Sequence, residues 1–187
     1  MGIPNLLTFL RIILIPVFIL LFYLPFRGSH VLAAIIFIFA AMTDWLDGYL
    51  ARSLGQVSKL GTFLDPVADK LIVVTALVLL VGDRVLPYLA IPAIVIICRE
   101  IMVSALREWM AEIGKRTRIA VTRIGKIKTT VQMLALILLL LYKPGAWFAL
   151  ALSGYLLLYL AALLTLWSMS LYLKAALHDL SSRQYFS

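Results

Sequence analysis

Four aspartates interrupt a strongly apolar chain within the stretch MTDWLDGYLARSLGQVSKLGTFLDPVADKL, at Asp44, Asp47, Asp65 and Asp69. Spacings of three and four residues put each pair on one face of a helix. Between the pairs, Gly48, Ala51 and Gly61 are small enough to let two helices, or a helix and a ligand, approach closely. An ionised carboxylate near a bilayer centre costs about 2.5–3.5 kcal/mol on insertion scales, so four of them demand compensation. Arg52 and Lys70 offset part of the charge. Hard divalent cations, which take oxygen ligands from carboxylates, offset the rest. Two acid pairs on adjacent helices therefore point to a two-metal site holding Mg²⁺ or Mn²⁺. Solvated or ion-paired acids at helix ends are one competing reading. A proton or sodium relay in a transporter is another.

The composition fixes the setting. Of 187 residues, 64% are hydrophobic and 14% charged, against about 45–50% and 25% in soluble domains. Mean hydropathy is +1.05. This pattern predicts an all-α, polytopic membrane protein. The length allows about six spans of ~20 residues in a single domain covering residues 1–187. The net charge of +8 sits beside apolar segments rather than in one long patch interleaved with aromatics. Anionic lipid head groups and a phosphorylated substrate explain it better than nucleic acid does. Cys98, the single cysteine, forms no intrachain disulfide, and its apolar surroundings predict a buried thiol. His30 and His178 have no metal-ligand partner nearby in sequence and read as interfacial.

Six elements must position these residues. A short amphipathic start carries Asn5, Thr8 and Arg11 at intervals of three, a polar stripe suited to the wall of a polar cavity or to interfacial snorkelling. The apolar run from about Ile12 to Phe26 lacks a small-residue cleavage site and reads as a retained first span. Span 2 covers about Val31 to Ala51 and carries the first acid pair near its end. After the polar link Ser53 to Lys59, span 3 covers about Leu60 to Val81 and carries the second pair in its first turns. Both pairs thus fall on one side of the membrane. Span 4 begins around Pro87 and continues into ICREIMVSALREWMAEIGKR, where adjacent opposite charges predict internal pairing. Span 5 covers about Thr129 to Tyr142, starting a little earlier because fourteen residues are short for a span, and span 6 covers about Trp147 to Tyr172.

Lysine and arginine set the orientation. Arg11, Arg52, Lys59, the basic segment Lys115 to Lys128, Lys174 and Arg183 gather on one side, against Arg27, Arg84 and Lys143 on the other. With six spans, both termini and the acid pairs face the cytoplasm. No pair of broken helices in an inverted repeat is visible, which weighs against common transporter designs.

Written as D-x-x-D-G-x-x-A-R-x8-G-x3-D-x3-D, the central pattern is matched by Asp44, Asp47, Gly48, Ala51, Arg52, Gly61, Asp65 and Asp69. At all eight positions the chain resembles the CDP-alcohol phosphatidyltransferases, integral membrane enzymes of phospholipid synthesis. The resemblance extends to IPNLLTFLRIILIPVFILL, REIMVSALREWMAEIGK and GKIKTTVQMLAL. There it is closest to bacterial members that use glycerol 3-phosphate as acceptor.

The resemblance implies a cytoplasmic-membrane enzyme that moves a phosphatidyl group from CDP-diacylglycerol to an alcohol and releases CMP. It implies Asp44, Asp47, Asp65 and Asp69 as metal ligands and Asp69 as the base. Asn5, Thr8, Asp47, Gly48, Arg52 and Gly61 would line the CDP site. A homodimer is also implied. Physically, two cations about 3.5–4 Å apart can clamp a phosphate during in-line displacement, with Asp44 and Asp65 as shared ligands. An acceptor phosphate needs cations beyond those at the acid pairs. Arg99, Arg107, Arg118, Arg123, Lys126 and Lys128 are the candidates, with Arg107, Lys126 and Lys128 favoured. Membrane-surface anchoring is the alternative role for each. Inositol phosphate and phosphatidylglycerol are the alternative acceptors.

Overall fold

The computed structural model describes residues 3–26, 28–54, 59–83, 86, 88–112, 123–143 and 148–181. Within these, the side chains of residues 3–5, 44–63, 65, 66, 107, 111, 123, 124, 126 and 175–181 lie outside the description. The described residues are all-helical: α1 Ile3–Tyr23, α2 Ser29–Leu54, α3 Lys59–Gly82, α4 Ala90–Glu112, α5 Arg123–Leu141 and α6 Phe148–Ser181. At 21 residues, α1 is about 31 Å long, close to the thickness of a hydrocarbon core. Leu6–Tyr23 and Phe148–Lys174 are long and apolar enough to cross a membrane, while Ser29–Thr43 and Ile127–Leu141 form shorter apolar stretches.

Several boundaries differ from those read off hydropathy. The polar stripe at the start of the chain belongs to α1 itself, because Asn5, Thr8 and Arg11 continue one helical face. Pro16 removes a backbone donor inside α1, yet the helix runs on, as neighbouring helices allow. Helix α5 begins at Arg123, before about Thr129, in the direction that the shortness of its apolar run requires. Helix α4 starts at Ala90 rather than Pro87. The turn before it places Tyr88 at φ 63°, a left-handed conformation costing about 1–2 kcal/mol outside glycine. The Tyr159 hydroxyl donates to the Tyr88 carbonyl at 2.9 Å and helps hold that turn.

The chain forms two compact units. The first comprises Met1–Pro87 and Leu136–Ala151. In it α1 packs on α2 and α3, and α2 packs on α3. Small buried residues on α2 (Ala33, Ala34, Ala40) and α3 (Ala68, Ala76) admit close approach, and Phe18 of α1 meets Phe37 of α2 with ring centroids 6.0 Å apart. At Gly28 in the α1–α2 turn, an added Cβ would come within 3.2 Å of the Phe26 ring, a tight contact that the exposed ring would have to yield to. Buried Thr43 satisfies its hydroxyl on the Ala40 carbonyl at 2.7 Å.

The second unit comprises Tyr88–Ala135 and Leu152–Ser187. Its buried positions recur at helical spacing: Ala93, Ile96, Arg99, Val103 and Met110 on α4, and Leu158, Ala161, Thr165, Ser168 and Tyr172 on α6. Polar side chains thus stand in register with apolar ones on the same faces. The opposite faces are apolar and bare, with Ile91, Ile94 and Ile101 on α4 and Leu156 and Leu163 on α6 all exposed. Cys98 is exposed as well. The expected buried thiol is corrected here: on a helix with apolar residues all round, an apolar run does not imply an inward face.

Candidate active site

The two acid pairs stand on neighbouring helices at matching heights. Asp44 lies ten residues before the end of α2, and Asp69 lies ten residues after the start of α3. At 1.5 Å per residue each is about 15 Å from the α2–α3 link. Asp47 and Asp65 lie about 10 Å and 9 Å from it by the same measure. Only four residues, 55–58, separate the helices, and the helices pack against each other. The backbone therefore brings both pairs to one end of the first unit. The side chains of Asp44, Asp47, Asp65, Gly48, Arg52 and Gly61 lie outside the described residues.

Asp69 is described, and it has a partner that spacing alone did not reveal. Arg11 on α1 is fully buried and donates from Nη1 to Oδ1 of Asp69, whose side chain keeps 40% of its exposure. Thr8, one turn before Arg11, is also fully buried. The polar stripe of α1 is therefore turned inward rather than toward lipid at Thr8 and Arg11. The side chain of Asn5, one turn further, lies outside the described residues. In the sequence Arg11 reads as part of the stripe and of the basic residues on one side of the membrane. Its partner is 58 positions away, and no local pattern carries that pairing.

The candidate metal ligands suit the ions that the sequence suggests. Four carboxylates offer the hard oxygen donors that Mg²⁺ and Mn²⁺ prefer. At Asp69 the Arg11 guanidinium already supplies one positive charge. Among the described residues no group of three or more His, Cys, Asp or Glu gathers, and three of the four acids fall outside that set.

A second polar cluster occupies the other unit. Arg99 Nη1 on α4 and Lys128 Nζ on α5 both donate to Glu100 Oε1, at 3.0 and 2.5 Å. Arg99 Nη2 donates to Ser168 Oγ on α6 at 3.0 Å, and its guanidinium lies 5.8 Å from the centre of the Tyr172 ring. Gln132 and Thr165 are buried as well. The Arg99–Glu100 contact matches the internal pairing expected from adjacent charges, whereas Lys128 joins from a different helix. Arg99 and Lys128, both buried, share the Glu100 carboxylate. Among the described residues, Arg99 Nε and Thr165 Oγ1 are buried with no hydrogen-bond partner. Such atoms are costly to leave unsatisfied. An anion with acceptor oxygens would match the Arg99 Nε donor. Of the other basic candidates, the side chains of Arg107, Arg123 and Lys126 lie outside the described residues, as does Arg118 altogether.

Comparison with known proteins bears directly on these clusters. The family model for CDP-alcohol phosphatidyltransferase matches residues 1–167. A CDP-diacylglycerol–glycerol-3-phosphate 3-phosphatidyltransferase of Pectobacterium atrosepticum is 54% identical over 179 residues, covering 96% of this chain and 97% of its own. Proteins of the same name from Salmonella typhimurium and Escherichia coli are 53% and 54% identical over the same shares. The family match takes in α1 to α5, the four aspartates, and most of α6. The chain belongs to the CDP-alcohol phosphatidyltransferase family.

Proposed function

We propose that this chain transfers the phosphatidyl group of CDP-diacylglycerol to glycerol 3-phosphate, giving phosphatidylglycerol phosphate and CMP. The observation that carries this reading is the identity of 54% across nearly the whole of both chains with relatives named for that reaction. The D-x-x-D-G-x-x-A-R-x8-G-x3-D-x3-D pattern is intact within that span.

In the reaction, the acceptor hydroxyl oxygen bonds to the lipid-side phosphorus, and the bond from that phosphorus to the CMP oxygen breaks. The hydroxyl proton passes to the Asp69 carboxylate, and CMP leaves with its phosphate. Arg11 holds that carboxylate by charge and hydrogen bond. Asn5, Thr8, Asp47, Gly48, Arg52 and Gly61 form the CDP site, with the glycines permitting close approach and Arg52 meeting phosphate. Asp44, Asp47, Asp65 and Asp69 hold two divalent cations, whose chemistry is to neutralise charge on the phosphate under attack. Arg99 and Lys128, buried cations beside each other on Glu100, take the acceptor phosphate with the open Nε donor of Arg99. Arg107, Arg118, Arg123 and Lys126 remain further candidates for that role.

The protein spans the cytoplasmic membrane six times, with both termini and the acid pairs on the cytoplasmic side, and acts as a homodimer. The bare apolar faces of α4 and α6 support a lipid environment, since soluble surfaces rarely leave such stretches open. The lysine and arginine distribution supports the orientation. Basic residues on that side also meet anionic lipids.

Acceptor competition tests the central assignment. Purified protein given CDP-diacylglycerol should release CMP faster with glycerol 3-phosphate than with inositol phosphate or phosphatidylglycerol. Equal or faster release with either rival would reassign the acceptor.

A further inference from the structure

Helix α6 is apolar along most of its length, yet one buried face carries Thr165, Ser168 and Tyr172 at intervals of three and four residues. Two of these hold Arg99 of α4. Ser168 Oγ accepts from Arg99 Nη2 at 3.0 Å, and the Tyr172 ring centre lies 5.8 Å from the same guanidinium. Thr165, one turn before Ser168, is fully buried and is left over.

The Thr165 hydroxyl is not spent on its own helix. A serine or threonine in a helix can return its hydroxyl to a carbonyl three or four residues back. Ser170 does so on the Trp167 carbonyl at 2.7 Å. Thr165 Oγ1, in contrast, is buried with no hydrogen-bond partner among the described residues, and Arg99 Nε shares that condition. The two atoms belong to adjoining positions. Arg99 Nη2 is bonded to Ser168, and residues three apart on a helix stand about 5–6 Å from each other at Cβ. Nη1 and Nη2 are engaged by Glu100 and Ser168, which leaves Nε as the nitrogen of Arg99 without a partner. Both open atoms can donate to an oxygen acceptor. Glu100 keeps 25% of its side-chain exposure, more than Arg99 or Lys128, so the cluster meets the surface there.

We propose that Thr165 is a binding residue for the phosphate of the acceptor, its hydroxyl and the Nε–H of Arg99 donating to oxygens of one phosphate group. A phosphate offers several acceptor oxygens at once and satisfies both buried donors together, and hydrogen bonds to an ionised acceptor are the strong ones. The assignment rests on the reading of Arg99 as a residue for the acceptor phosphate. It adds α6 to α4 and α5 as a wall of that subsite.

Thr165→Val tests this with little risk to the fold, because valine keeps the branched shape and loses only a hydroxyl that has no partner. In CMP release by the full-length protein in detergent, KM for glycerol 3-phosphate should rise about tenfold. KM for CDP-diacylglycerol and kcat should stay within about twofold. Thr165→Ser keeps the hydroxyl and should retain the KM of the unaltered protein. An unchanged KM for glycerol 3-phosphate in Thr165→Val would overturn the proposal. A raised Tm of that variant would then mark the hydroxyl as no more than a buried unpaired group. Running inositol phosphate alongside separates the two failures. If it proves the better acceptor and its KM rises in Thr165→Val, the assigned acceptor fails while Thr165 keeps its role. If neither acceptor supports release, thermal unfolding with inorganic phosphate decides: a Tm rise in the unaltered protein that Thr165→Val loses sustains the site, and equal responses sink it.

Discussion

Arg11 of α1 donates through Nη1 to Oδ1 of Asp69 on α3, joining a fully buried guanidinium to a carboxylate at the mouth of the proposed reaction site. Removing one partner of a buried pair costs about 3–5 kcal/mol, and the residual exposure of Asp69 places this pair near the low end. Arg11→Met should therefore destabilise the protein by about 3 kcal/mol and lower turnover at least tenfold. Arg11→Lys should recover part of both, since it restores charge but not the planar fork. Thermal unfolding and CMP release, measured on the same preparations, check this.

Asp69→Asn isolates the proton-accepting role. An amide keeps the size of the side chain and cannot take the proton, and general-base catalysis contributes about 10²–10⁴-fold. CMP release should fall by that order while CDP-diacylglycerol still binds. Undiminished release by Asp69→Asn would remove Asp69 as the base.

Metal removal should stop the reaction reversibly. With the four aspartates as ligands of two cations, a chelator should abolish CMP release and also lower the melting temperature. Added Mg²⁺ or Mn²⁺ should restore both. Asp44→Asn and Asp65→Asn should each raise the metal concentration needed for half-maximal rate.

The Arg99–Glu100–Lys128 cluster makes a different forecast. Arg99→Lys keeps the charge and loses the fork, so KM for glycerol 3-phosphate should rise about tenfold while KM for the CDP-lipid holds, as for a lost charge-assisted hydrogen bond. Glu100→Ala should cost about 3 kcal/mol of stability, because it removes the carboxylate that two buried cations share. Combining it with Lys128→Met should return part of that loss. Thermal unfolding of the single and double variants reads the coupling.

Much of this molecule is written in short-range patterns. The apolar runs locate the six helices of the described residues, and α2 and α3, four residues apart in sequence, pack together, so the backbone positions of the acid pairs lie on neighbouring helices. The start of α4 differs from the apolar boundary, and α5 starts before it as its short apolar run requires, because hydropathy marks where a helix meets an apolar surrounding, not where its hydrogen bonding begins. Arg11 and Lys128 show a second limit. Each appears locally as one more basic residue near a membrane edge, and only three-dimensional packing pairs them with Asp69 and Glu100. Cys98 shows a third, because in an apolar environment hydrophobic residues face outward as readily as inward.

The most direct measurement is CMP release by purified protein supplied with CDP-diacylglycerol, glycerol 3-phosphate and Mg²⁺, with lipid product quantified alongside. The expected result is metal-dependent release that requires glycerol 3-phosphate and yields one phosphatidylglycerol phosphate for each CMP. No release with Mg²⁺ or Mn²⁺, or release indifferent to glycerol 3-phosphate, would contradict the assigned reaction.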